Sequence, residues 1–241
     1  MSEVGAAKGA PPVLNSVLVN AVQYSKRMAG ERSTPRHDRE SVINAALELL
    51  DEHGLPELTM RRLAAALDVQ PSALYWHVEN KQTLLAAVAD RILSNARPAP
   101  APEVSWRDAA AIEATTIRDA LLAYRDGAEV VLSTRALGLG AEEAHARLMS
   151  AIRRGHEAEM SEVAATALLH LVIGDASLAQ QRLQADSLGV VAPETALDSM
   201  KQADADEAFH FGVELLLNGL ELRTTPAAST VRIGGPEPRQ S

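Results

Sequence analysis

Leu58 to Leu85 reads LTMRRLAAALDVQPSALYWHVENKQTLL, two short apolar-periodic stretches pinched together by a three-residue turn. That pattern leaves few folds open. Thr59 precedes Met60–Leu67, where its hydroxyl is placed to cap a helix. Leu63, Ala66 and Leu67 recur at helical spacing and are expected to face inward. The turn is Asp68-Val69-Gln70, and Asp68 falls where the chain needs a left-handed residue, which Asp tolerates better than most. Pro71 opens the second helix, where its missing N–H costs nothing. That helix is predicted over Pro71–Val78, with Leu74 and Val78 inward and Ser72, Ala73, Tyr75 and His77 on other faces. Two helices of this size on so short a turn form the unit that enters the DNA major groove.

The flanks brace it. Residues 38–53 (DRESVINAALELLDEH) form an amphipathic helix with Val42, Ile43, Ala46, Leu47, Leu49 and Leu50 on one face and Gly54 as its stop. Asn80 caps a further helix, Lys81–Ala96, with Leu84, Leu85, Val88 and Ile92 inward. It runs into Pro98-Ala99-Pro100-Ala101-Pro102, a stiff break. With these helices in this order, the Leu74-Tyr75-Trp76-His77-Val78 string and the Asn80-Lys81 pair, the stretch resembles the DNA-binding core of the tetracycline-repressor (TetR) family. The resemblance implies that Tyr75, His77 and Lys81 touch the DNA backbone. It also implies that Arg61 reads a guanine, which its forked donors suit. Arg62 shares that face. Gln70, Ser72 and Ala73 surround Pro71 in the first turn and differ from the tetracycline repressors, so their operator sequence does not carry over.

The net charge of −9 argues at first against nucleic acid, but its distribution removes the objection. From Pro98 onward there are 12 basic and 21 acidic residues, whereas Lys26–Arg97 holds 10 of each. DNA affinity follows the local field at the contacting face. Hydrophobic residues are 46% of the chain and aromatics 3%, so Leu and Ala carry the burial, as in an all-α protein. The absence of Cys excludes a disulfide framework and a thiolate metal site. No run of about 18 uncharged apolar residues is apparent and no secretion signal is read, so a cytoplasmic protein without a membrane span is expected.

Five segments follow from this reading: an extension (1–36), a helix-turn-helix domain (37–97), a Pro-rich connection (98–104), a helical ligand-binding and dimerisation domain (105–223) and a tail (224–241). In the extension, Val13–Met28 carries one helical stripe, read either as an extra helix against a partner or as a stretch lying upstream of the natural protein's start. Lys26, Arg27, Arg32, Arg36 and Arg39 make a basic arm, with an adjacent groove or a disordered tail as its two readings.

In the C-terminal domain, helices are predicted over Ser105–Tyr124, Glu129–Leu132, Ala141–Gly155, Ser161–Ala185, Pro193–Lys201 and Asp204–Leu222. No phosphate loop, two-His helix motif or nucleophile elbow is present, so neither a cofactor nor a metal is expected. Leu121-Leu122-Ala123-Tyr124-Arg125-Asp126-Gly127, Ser133-Thr134-Arg135, Gln180-Gln181 and Glu207-Ala208-Phe209 resemble the corresponding domain of true tetracycline repressors. The resemblance implies a four-helix bundle with a second copy. Val163, Ala167, Leu171, Gly174 and Leu178 would line one helix of it, and Leu215, Leu216, Gly219 and Leu220 the other. A dimer also places two heads about 34–36 Å apart on DNA.

At the drug site the resemblance fails. Where tetracycline repressors hold a magnesium–tetracycline chelate with an imidazole, this chain has Val131, which cannot coordinate a cation. Glu113 replaces a drug-gripping amide, Ile117 an aromatic contact, Leu178 the carboxylate behind the metal's water shell and Arg97 a histidine. Thr134 and Arg135 stand as in the pattern. The expected lining is Glu113, Ile117, Leu121, Val131, Thr134, Arg135, Arg147, His170, Asp175 and Leu178. An unpaired carboxylate at Asp175, inside an apolar helix, is expensive. Arg135 and Arg147 are its candidate partners; a cationic or hydrogen-bonding ligand is the alternative. The sequence therefore points to a homodimeric regulator of a palindromic operator, released by a small organic effector other than magnesium–tetracycline. The rival is a helical binding protein or enzyme using Glu113, His170 and Asp175.

Overall fold

The computed structural model describes residues 37–96, 98–187 and 195–224; the candidate helix 13–28, Arg97 and the tail lie outside them. All regular elements among these residues are helical. Four helices build the head: α1 (Arg39–His53), α2 (Met60–Ala66), α3 (Pro71–Leu74) and α4 (Lys81–Ser94). Five build the body: α5 (Trp106–Leu122), α6 (Gly127–Ala136), α7 (Glu142–Ile152), α8 (Ala158–Ser187) and α9 (Thr195–Thr224).

All six apolar positions expected on α1 are buried, as are the four expected on α4. Gly54 ends α1 at φ 82°. On α2 the inward positions are Leu63 and Ala64, while Ala66 is exposed, a correction to the sequence reading. The stripe is Met60-Leu63-Ala64-Leu67, the i, i+3, i+4, i+7 face, and Ala66 lies off it. Two further expectations fail. The helices expected over 193–201 and 204–222 are not separate, because nothing between Lys201 and Asp204 breaks the single helix α9; positions 193 and 194 lie outside the described residues. The short helix at Glu129–Leu132 is the longer α6.

Head and body share one continuous buried core running from Val42 to Leu220. Their seam is also polar. The Asp126 carboxylate, on a left-handed residue (φ 56°), accepts from Leu55 N at 2.7 Å and bonds Gln184 on α8. Asp51 accepts from Arg125 N (3.1 Å), Asn95 donates to the Tyr124 hydroxyl (2.8 Å), and Asp90 accepts from Ala141 N (2.9 Å). The Pro-rich connection is held by Arg154, whose guanidinium donates to the carbonyls of Pro100, Ala101 and Val104.

Gln180 on α8 locks the α5–α6 turn from beneath. It is buried, accepts from Ala128 N (3.0 Å) and donates to the carbonyls of Leu121 (3.0 Å) and Tyr124 (2.8 Å). By length and composition alone, Ala158–Ala185 of α8 is long and apolar enough to cross a membrane, although Asp175 interrupts it and no 18-residue run in it is free of charge. Its apolarity has another cause in the fold, because α8 carries two apolar faces. Leu168, Leu169, Val172 and Ile173 point into the core, while Val163, Leu178 and Leu183 point out.

Candidate nucleic-acid interface and ligand pocket

The turn between α2 and α3 is built as its residues dictate. The Thr59 hydroxyl accepts from Arg62 N at 3.2 Å, so α2 begins at a fixed point. Asp68 takes the left-handed conformation at φ 52°. Gln70 is extended, and Pro71 starts α3 directly after it. The helical hydrogen bonding of α3 ends earlier than expected, at Leu74, and Tyr75–His77 continue as a turn with Val78 N on the Leu74 carbonyl. Asn80 then caps α4, accepting from Thr83 N (2.9 Å) and the Thr83 hydroxyl (3.0 Å).

This scaffold leaves Arg61, Gln70, Ser72 and Tyr75 exposed, with Ala73, His77 and Lys81 half-buried beside them. Arg62 differs from Arg61, because it is paired with Glu57 in the short 3₁₀ turn that precedes α2. Trp76, part of the quoted string yet not assigned to the DNA face by the sequence reading, is 88% exposed. Together with Tyr75, 53% exposed, it forms an outward aromatic pair between buried Leu74 and Val78.

In the body, Glu113, Ile117, Leu121, Val131 and Thr134 are all buried on α5 and α6. Glu113 receives Arg147 of α7 in a two-pronged pair, 2.8 Å from Nε and 2.7 Å from Nη2. The Thr134 hydroxyl donates back to its own helix, at the Val130 and Val131 carbonyls. His170 is exposed and Leu178 is 48% exposed on the outward face of α8, apart from that group. Arg135 is half-buried on the last turn of α6.

Asp175 is ion-paired, but its partner is neither Arg135 nor Arg147. Arg118 of α5 donates from Nε to Asp175 at 2.6 Å and from Nη2 to Asp206 of α9 at 2.8 Å, with its guanidinium 4.7 Å above the Phe209 ring. Burial acts to lower the Arg118 pKa, but the bonds to the two carboxylates outweigh it and raise it above the ordinary value. Arg118 thus ties α5, α8 and α9 together. The sequence held one clue, a charge at the position after Ile117 on a stripe that is otherwise apolar.

Val131 is fully buried and carries no donor atom, and Leu178 offers no carboxylate. The residues present do not fit a magnesium–tetracycline chelate.

Outward-facing apolar residues run along α8 and α9. Val163, Ala167, Gly174, Leu178, Leu215, Leu216 and Gly219 are exposed; of the remaining expected face residues, Leu171 is half-buried and Leu220 turns into the core. Between the two helices lies an apolar groove of about 300 Å³, lined in part by Met160, Val163, Ala167, Leu216, Gly219 and Leu220.

Residues 42–88 match the family of bacterial regulatory proteins called the tetR family, and residues 99–224 match the tetracyclin repressor-like C-terminal domain. The chain belongs to the tetR family. It is 36% identical over 200 residues to the class D tetracycline repressor protein of Escherichia coli, covering 79% of this chain and 92% of that one. Mycobacterium smegmatis BioQ has a similar structure, with TM-score 0.68 and 38% identity over 78% of this chain and 99% of its own. A glutamine-to-alanine variant of TetR from Acinetobacter baumannii AYE, crystallised with minocycline, aligns with TM-score 0.63 and 34% identity over 79% and 100% of the two chains. As a member of the tetR family, the chain is a DNA-binding transcriptional regulator that works as a homodimer.

Proposed function

We propose that this protein is a repressor whose two heads grip a palindromic operator and whose grip is weakened by a small organic molecule in the body. The carrying observation is the capped, braced turn of α2 and α3, which holds Arg61, Gln70, Ser72, Tyr75 and Trp76 outward on a rigid base. A solved structure of BioQ with its natural double-stranded DNA operator, at TM-score 0.63 and 37% identity, supports this use of the head.

The effector site we assign lies around Ile117, Leu121, Val131 and Thr134, with the Glu113–Arg147 pair at its edge. Its chemistry excludes the metal chelate, for want of a ligand at Val131. An effector that favours one setting of the body over another by about 1–3 kcal/mol shifts operator affinity 5–150-fold.

Regulation is favoured over catalysis by the state of the titratable groups. Glu113 is held by Arg147, Asp175 by Arg118, and His170 faces outward, so the three candidates do not converge on one reacting centre. The test is anisotropy titration of upstream DNA with the parent and with Arg61→Ala and Tyr75→Ala proteins. Loss of binding with intact dimers supports the assignment of the head; undiminished binding overturns it. A thermal-shift screen of small organic molecules, repeated on Val131→Arg, locates the effector. Hits that survive the arginine place the site elsewhere.

A further inference from the structure

Glu113 holds its carboxylate in line with Ile117 and Leu121, at i, i+4 and i+8 on one face of α5. The residue is 2% exposed, and a charge so deep needs a partner. Arg147 supplies one, but unevenly. Both of its prongs, from Nε and from Nη2, end on Oε2. Oε1 receives no hydrogen bond among the described residues. The described side-chain atoms that are both enclosed and without a partner belong to His156 and Ser177. Glu113 Oε1 is therefore not shut in, and the little of this residue that can be reached includes that oxygen.

The other buried polar group assigned to the site has the same bias. Thr134 spends its single O–H on the carbonyls of Val130 and Val131 (2.9 and 3.1 Å), and its lone pairs receive no donor among the described residues. Donors are scarcer. The guanidinium of Arg147 is engaged with Glu113. Arg135 follows Thr134 by one position, about 100° round α6, and is half-buried where Thr134 and Val131 are buried. The side chains of Ile117, Leu121 and Val131 bring none.

We infer that the molecule admitted here is an uncharged, largely apolar compound that brings a hydroxyl or N–H donor to Glu113 Oε1. This rests on the effector site assigned above and adds the chemistry that the site selects. Charge decides first. Glu113 and Arg147 already offset each other, so an anion meets an open carboxylate oxygen with its cation taken. An ammonium gains from Glu113 what it loses beside Arg147. Hydrogen bonding decides next. A neutral donor completes a charge-assisted bond, the stronger kind. An ether of the same shape covers the oxygen without bonding it, and a buried acceptor left unpaired bears its full desolvation cost.

The test uses naphthalenes of like size: 2-naphthol, its methyl ether, 2-naphthoate and 2-naphthylmethylammonium, titrated calorimetrically into the full-length protein at neutral pH. Naphthol should bind at least about tenfold more tightly than its ether, with both ions weaker than naphthol. The paired substitution Glu113→Met with Arg147→Met replaces the whole ion pair by apolar side chains, a change that folds tolerate better than loss of one partner. In it naphthol should lose its advantage while the ether binds at least as well as before. Glu113→Asp, which keeps both charges and withdraws the carboxylate by one methylene, should reduce the same preference less. Parity of naphthol and ether in the parent overturns the inference. So does tightest binding by either ion, a naphthol preference that survives the paired substitution, or binding by none of these probes. Operator anisotropy in the same samples separates the inference from the reading beneath it. Donor-selective binding that leaves operator affinity unchanged sustains the chemistry of the site and removes its regulatory role.

Discussion

In the head, α1 places its six apolar side chains on a single face and buries all of them; in the body, α8 and α9 carry apolar residues on two faces and bury one. A helix with one apolar face is satisfied by its own chain. A helix with two must find a second surface, and a large exposed apolar patch is what an interface leaves on an isolated protomer. The contrast separates two kinds of information in one composition: the head's periodicity describes a fold, and the body's excess apolarity describes an assembly.

The sharpest way to break this contrast is to charge the outward face. Leu216→Asp, on a 40% exposed groove residue, should halve the mass seen in sedimentation and abolish operator binding at concentrations that saturate the parent. A dimer that survives it would leave the second face without a purpose. Next in size is a cut into the inward face of the head. Leu63→Ala, at a fully buried side chain, should cost about 2–5 kcal/mol in urea unfolding. A loss below that range would mean that the short α2 is braced from elsewhere.

Arg61→Ala probes the exposed side of the same helix. It should weaken operator binding by about 1–3 kcal/mol while leaving the melting temperature unchanged, a split that a merely structural arginine would not give. The smallest effect belongs to the cap. Thr59→Ala should destabilise the head by about 1 kcal/mol through loss of the bond from Arg62 N.

The head was legible because local rules governed it. Asp68, Pro71, Thr59 and Asn80 each stand where backbone geometry or an unsatisfied N–H asks for that residue type, and each does what was read from it. The misreading of Ala66 came from counting apolar residues instead of fixing the phase of a seven-residue helix. Body helices were legible as helices but less so in their joins, since the boundary drawn near Lys201–Asp204 had no glycine or proline behind it. The electrostatics of the pocket were the least legible part. Of the two readings of Asp175, an internal ion pair or a ligand contact, the structure shows the ion pair, but Arg118 is 57 positions away in the chain, and no local rule selects it over Arg135 or Arg147. Trp76 was passed over for the opposite reason: its string served to characterise the helix, and its bareness shows only in three dimensions.

The hold of Arg154 on the Pro-rich connection has a mechanical consequence. A run of prolines between two parts of a chain suggests a spacer on which each part moves separately, yet here three carbonyl grips from one guanidinium fasten the splice to the corner that follows α7. The reading head is therefore carried like the blade of a wrench. The proline run thus contributes little freedom of its own between body and head.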